Sequence, residues 1–173
     1  MAQSRTKRIL IYLMRRDLRV ADNPILHELS KSKTHGFTHL LPLYIFTAQQ
    51  IEVSGFINDD QKCPYPEARS RIAGFWRCGP HRARFLSESV DEVKKSLEKL
   101  GSGLCIRVGL AGVVIRDLLS KFDTTTEDVK VGAVWMVKEY GFEEEAEELL
   151  VKKACKEAMV GFRSWTDEKY LID

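Results

Sequence analysis

The chain has 173 residues, with 27 Lys plus Arg against 25 Asp plus Glu, and its net charge of +2 does not mark the whole domain as a nucleic-acid binder. That length is one ordinary domain, able to bury roughly 70% of its unfolded surface without disulfide or metal staples. Four well-separated cysteines, Cys63, Cys78, Cys105 and Cys155, fit free thiols in a reducing, intracellular compartment, whether nucleus, cytoplasm or organelle, and no apolar run approaches the ~20 residues of a membrane-spanning helix.

The first eight residues, MAQSRTKR, are basic and acid-free, a feature they share with short transit peptides. Lys7 to Met14 is a basic lead into a continuous apolar run, as in strands covered on both faces. Asp22-Asn23-Pro24 then supplies a cap and a first-turn proline for a short helix through Leu29. Leu40 to Phe46 is the second strand, with Pro42 demanding an early or irregular place in it. Thr47 to Pro80 shows no periodicity and reads as a long excursion.

Leu86, Val90, Val93, Leu97 and Leu100 recur at helical spacing, with Asp91 and Lys95 paired on the other face, and Gly101-Ser102-Gly103 ends that helix. Leu104 to Val108 is the third strand, Leu110 to Phe122 an amphipathic helix, Val131 to Val137 the fourth strand, Phe142 to Met159 the last helix and Val160 to Trp165 the fifth strand. Strand and helix in alternation predict an α/β domain: a five-stranded, parallel, doubly wound, Rossmann-like sheet with helices on both faces and right-handed crossovers. Residues 1–165 form this single domain and 166–173 begin a linker.

Ligands of such sheets bind outside the carboxyl ends of the strands. Those ends are Arg15 to Asp22, Thr47 onward, Gly109, and Lys138 to Glu143. Gly101-Ser102-Gly103 precedes a strand and opens no helix, which excludes a dinucleotide fingerprint. Arg15, Arg16 and Arg19 suit a phosphate or carboxylate, or else Asp17 pairs with one of them while the others face water.

Five glutamates fall within Glu143 to Glu148, and a helix N-terminus favours them, as its C-terminus favours Lys152, Lys153 and Lys156. Glu139 precedes that helix, where its carboxylate can accept paired N–H donors from a heterocycle such as a pterin. Cys63, Cys78 and His81 lack the ligand count and spacing of a zinc site, so no metal is expected. His35 and His39 read as surface histidines, Trp76, Trp135 and Trp165 as core or interface aromatics, and no catalytic residue is assigned.

"RRDLRVADNPIL" resembles the signature that opens members of the photolyase/cryptochrome family, through Arg15, Asp17, Leu18, Arg19, Asp22, Asn23, Pro24 and Leu26. Arg77 to Gly109 and Val134 to Glu148 are similar to segments of that family's DASH branch. The resemblance implies an antenna domain that binds methenyltetrahydrofolate, or in some members a deazaflavin, and passes excitation to FAD in a separate helical domain absent from these residues. It implies Glu139, Glu143 and Tyr44 as cofactor-binding residues. Arg15, Arg16, Asp17, Arg19 and Asn23 become scaffold and domain-interface residues, with Asp17 bracing Arg15 or Arg19.

The parent would be a blue-light, FAD-dependent pyrimidine-dimer lyase acting best on single-stranded DNA, or a photoreceptor. DNA contact would come only through that full-length parent, with no membrane partner, and this chain, a fragment or truncated form, would not catalyse repair by itself. The alternatives are a regulatory interaction module of the same fold without chromophore, and a generic nucleotide-binding domain.

Overall fold

The computed structural model describes residues 6–32, 34–48, 51, 60, 68–70, 72–125 and 128–167. They form β1 (Lys7–Met14), α1 (Pro24–Lys31), β2 (His39–Thr47), α2 (Pro80–Lys99), β3 (Cys105–Gly109), α3 (Ala111–Thr125), β4 (Val129–Val137), α4 (Phe142–Glu157) and β5 (Gly161–Trp165). The strands make one sheet in the order β3-β2-β1-β4-β5, every pair parallel. Winding therefore reverses between β1 and β4, the strands with the longest uninterrupted buried runs.

Alternation along each strand sends side chains to two separate cores. Ile11, Leu13, Leu43, Ile45, Val134 and Met136 pack under α3 and α4, through Ile115, Leu119, Val151 and Cys155. Leu10, Tyr12, Met14, Tyr44, Trp135 and Val137 pack under α1 and α2, through Ile25, Val90, Val93 and Leu97. Two covered faces explain the unbroken apolar runs of β1 and β4.

Pro42 lies inside β2, opposite Tyr12 of β1, and β3 begins to pair only at the next residue, Leu43. At Pro42 the strand is thus locally an edge, where a missing donor is tolerated. Helix α2 begins at Pro80, earlier than its apolar repeat, because Pro at its first turn fixes the start while residues 81–85 face solvent. It ends in a Schellman motif: Gly101 at φ 75, with the amides of Gly101 and Ser102 bonded to the carbonyls of Glu98 (2.9 Å) and Leu97 (3.0 Å). Helices α3 and α4 come together at Gly112, where a Cβ would lie 2.9 Å from the Cβ of Leu150.

The turn after β1 is held by a buried polar chain. Asp17, fully buried, accepts the Tyr12 hydroxyl at one carboxylate oxygen and the Arg15 amide, 2.9 Å away, at the other. Asn23 Nδ2 donates to the same Tyr12 oxygen at 2.6 Å and to the Arg19 carbonyl at 3.2 Å. Its Oδ1 caps α1 by accepting the amides of Ile25 and Leu26, both at 3.1 Å. Asp22 precedes it at φ 52, a left-handed position that Asp tolerates.

Removing any member leaves a partner buried and unsatisfied, which costs about 1–3 kcal/mol. Asn23→Ala, which also loses the cap, is expected to lower unfolding free energy by about 3 kcal/mol, and Tyr12→Phe by about 2 kcal/mol. Urea denaturation checks both, and losses under ~0.5 kcal/mol, the size of ordinary surface substitutions, contradict the network's role.

Candidate functional site

Outside the carboxyl ends of β1 and β2 lies a cavity of about 320 Å³. Its floor is Leu13, Met14, Tyr44 and Ile45, one wall is Arg82, Phe85 and Leu86 of α2, and the other is Glu139 with Glu144 and Glu147 of α4. Apolar ring faces and a ring of charged groups thus meet in one concavity, the composition of small-molecule sites.

Arg15 organises the wall. Its guanidinium donates to the Val137 carbonyl at 2.7 Å, the Glu144 carbonyl at 3.1 Å and Glu147 Oε2 at 3.4 Å, with Glu148 at 4.0 Å. Val137 ends β4 and Glu144 opens α4, so one side chain clamps three elements together. Its Nε lies buried and has no partner among the described residues. Thr47 donates to the other Glu147 oxygen at 3.1 Å, and Arg16 pairs with Glu144.

Two of the three expected cofactor residues, Tyr44 and Glu139, line this cavity; Glu143 does not, and pairs with Arg77 instead. Glu144 and Glu147, beyond the expected set, line it too. Stepping back from the buried Val151, Ala154 and Cys155 at helical spacing lands on Glu147 and then Glu144, so the inward face of α4 was the signal that identifies them. Gly141 makes room for this arrangement, since a side chain there would collide with the Glu144 carboxylate.

Of the turn residues, Asp17 bonds Arg15 through the backbone amide and not the guanidinium, and no guanidinium bonds it among the described residues. A strand-end carboxylate with no water access is better matched to donors already fixed by the backbone. Arg19 instead bonds Asp167 at 2.7 Å and the Asp22 carbonyl at 2.8 Å. Trp135 is buried against Trp165, ring centres 5.0 Å apart, while Trp76 is partly exposed beneath Arg69. Cys63 lies outside the described residues, and among those described no three His, Cys, Asp or Glu side chains converge as metal ligands.

No helix among the described residues is long and apolar enough to cross a membrane.

The sequence profile of the DNA photolyase family matches residues 10–173. The chain belongs to the DNA photolyase family. A protein of Gibberella zeae assigned as a cryptochrome DASH is 47% identical over 166 residues, 96% of this chain and 23% of its own length. A Neurospora crassa protein assigned as a mitochondrial cryptochrome DASH is 46% identical over 166 residues, 95% of this chain and 22% of that protein.

Among solved structures, the cryptochrome of Synechocystis superposes with a TM-score of 0.72 at 22% identity, covering 93% of this chain and 28% of that one. An archaeal photolyase from Sulfolobus tokodaii, solved with two FAD molecules, superposes with a TM-score of 0.63 at 22% identity, covering 92% and 29%. The chain therefore corresponds to the α/β region of photolyases and DASH cryptochromes, and spans under a quarter of the two fungal relatives.

Burial, reinforced by the charge of Glu147, pushes the Tyr44 phenol up from 10.0 to about 12. Burial also raises Tyr12, with the charge of Asp17 adding to it, and lifts the Cys155 thiol from 9.0 to about 11. Each folded-state value lies above the unfolded one, so their stabilisation is complete below pH 9 and is lost as pH rises toward about 12. Urea midpoints should fall across that window, and Tyr44→Phe should flatten the fall above pH 10 by up to one proton, about 1.4 kcal/mol per pH unit. Identical slopes in the two proteins contradict the assignment. Arg15→Ala, which strands two carbonyls and a carboxylate, should cost about 3 kcal/mol in the same assay, and Arg15→Lys, which keeps the charge but not the fork, roughly half of that.

Proposed function

We propose that this is the light-harvesting domain of a DASH-type cryptochrome or photolyase, and that its cavity holds a flat heteroaromatic chromophore, methenyltetrahydrofolate before any other. The observation that carries the reading is the cavity's chemistry. Glu139 offers an acceptor-only carboxylate to ring N–H groups, and the Arg82 guanidinium on the opposite wall offers donors to a ring carbonyl or nitrogen. Met14, Leu86 and Phe85 provide apolar contact for the ring faces, and Tyr44, protonated at neutral pH, adds a second donor.

A volume of about 320 Å³ matches one bicyclic ring, with any tail directed outward past the exposed Phe85. When bound, such a group absorbs near-ultraviolet or blue light and supplies excitation to a flavin. The residues of this chain bind, orient and shield it. A flavin-type ring, including a deazaflavin, is the second reading: it presents the same pattern of ring donors and acceptors, and the Sulfolobus tokodaii photolyase is described with two FAD molecules and the implication of a novel light-harvesting cofactor.

In the parent, FAD and damaged DNA would be held by a separate helical domain that follows residues 1–165. Residues 166–173 would begin the connection, and of these 168–173 lie outside the described residues. Arg15, Arg16, Asp17, Arg19 and Asn23 would be the scaffold on the side facing that domain. The parent's activity would be blue-light splitting of pyrimidine dimers, with single-stranded DNA preferred, or photoreception in an intracellular compartment.

Titration of the purified chain with methenyltetrahydrofolate should produce a red-shifted, protein-bound absorption band. Glu139→Gln should weaken binding at least ten-fold, whereas Glu143→Gln, outside the cavity, should leave it unchanged. A flavin titrated in parallel separates the two ring classes. Absence of binding by either at near-millimolar ligand would overturn the antenna reading and leave an interaction module.

A further inference from the structure

Helix α4 carries a second apolar stripe that faces away from the core. Its inward side is Val151, Ala154 and Cys155, all buried, yet Phe142 is 88%, Leu149 66% and Leu150 51% exposed. Phe142 and Leu149 lie two turns apart on one outward line, and Leu150 flanks it on the side where α4 meets Gly112 of α3. Large apolar side chains left exposed together on one helix mark an interaction surface more often than a solvated face.

The charges on that face specify what covers it. At 3.6 residues per turn, Glu145, Lys152 and Lys156 fall along one flank of the Phe142–Leu149 line. Glu143, Glu144 and Glu147 are engaged by arginines, whereas Glu145, Lys152 and Lys156 make no ion pair among the described residues. The outward flank is therefore acidic near its start and basic near its end.

Leu149 and Leu150 are the two central residues of the 16-residue helix. A helix with apolar residues at its midpoint and opposite charges at its two ends is complementary to itself when reversed. We propose that α4 docks antiparallel on α4 of a second copy of this chain, about a two-fold axis at Leu149 and Leu150. Such an interface is isologous and closes at a dimer. Each Glu145 then sits opposite Lys152 and Lys156 of the other copy, while Phe142 covers the aliphatic stems at the far end. A single helix pair about 24 Å long makes this a weak association, at the small end of stable interfaces.

Analytical ultracentrifugation of the full 173-residue chain, from micromolar to near-millimolar concentration, reads the outcome. The wild type should pass reversibly from monomer to dimer and no further. Leu149→Lys, a change on an exposed position that leaves the circular dichroism intact, should stay monomeric throughout. Glu145→Lys and the Lys152→Glu/Lys156→Glu variant should each weaken dimerisation about ten-fold, and the three changes combined should restore it. A wild type that is monomeric at every concentration overturns the proposal and leaves the stripe to the remainder of the parent. A combined variant no better than its components overturns the antiparallel register.

Discussion

Asp17 is a carboxylate without access to water, placed where a buried strand turns into a loop. Everything that follows β1 depends on how it is satisfied. It takes the Tyr12 hydroxyl from within the strand and the Arg15 amide from beyond it, while Asn23 closes the chain by donating to Tyr12 and capping α1. A buried polar network of this kind stabilises only when every member is paired, and the geometry it accepts is correspondingly narrow. The consequence is directional. With its amide held by Asp17, Arg15 reaches across β4 and α4, where it meets Val137, Glu144 and Glu147 and builds the wall of the cavity.

Much of the fold was legible because its signals are periodic. The unbroken apolar runs at Ile9–Met14 and Val131–Val137 require two covered faces, and the structure covers them with α1 and α2 on one side and α3 and α4 on the other. The helix-capping role of Asn23-Pro24 was equally plain, since cap and first-turn proline are local devices. The partner of Asp17 was not. Residue type alone pairs an aspartate with a neighbouring arginine, whereas the decisive group, Tyr12, lies inside the strand with its hydroxyl turned toward the turn, an orientation set by the sheet rather than by local sequence.

The cavity was half legible for the same reason. Glu139 stands just past the end of β4, where the rule that ligands sit beyond the carboxyl ends of strands finds it, whereas Tyr44 lies inside β2 and came only with the family resemblance. Glutamates in the first turns of α4 look interchangeable by composition, yet Glu143 turns to Arg77 while Glu144 and Glu147 turn inward. Helical phase decides this, read from the buried positions that follow. The outward phase of that helix carries Phe142 and Leu149, both exposed, among charged side chains.

The Tyr12–Asp17–Asn23 network, rather than the arginines themselves, orders the mouth of β1. Native-state hydrogen exchange of Tyr12→Phe against the wild type tests it directly. The amides of Arg15, Arg19, Ile25 and Leu26 should lose protection together, by more than ten-fold beyond any global change, while those of Ile11 and Val134 in the sheet keep theirs. Loss of protection spread evenly over the sheet, or confined to residue 12, would contradict it.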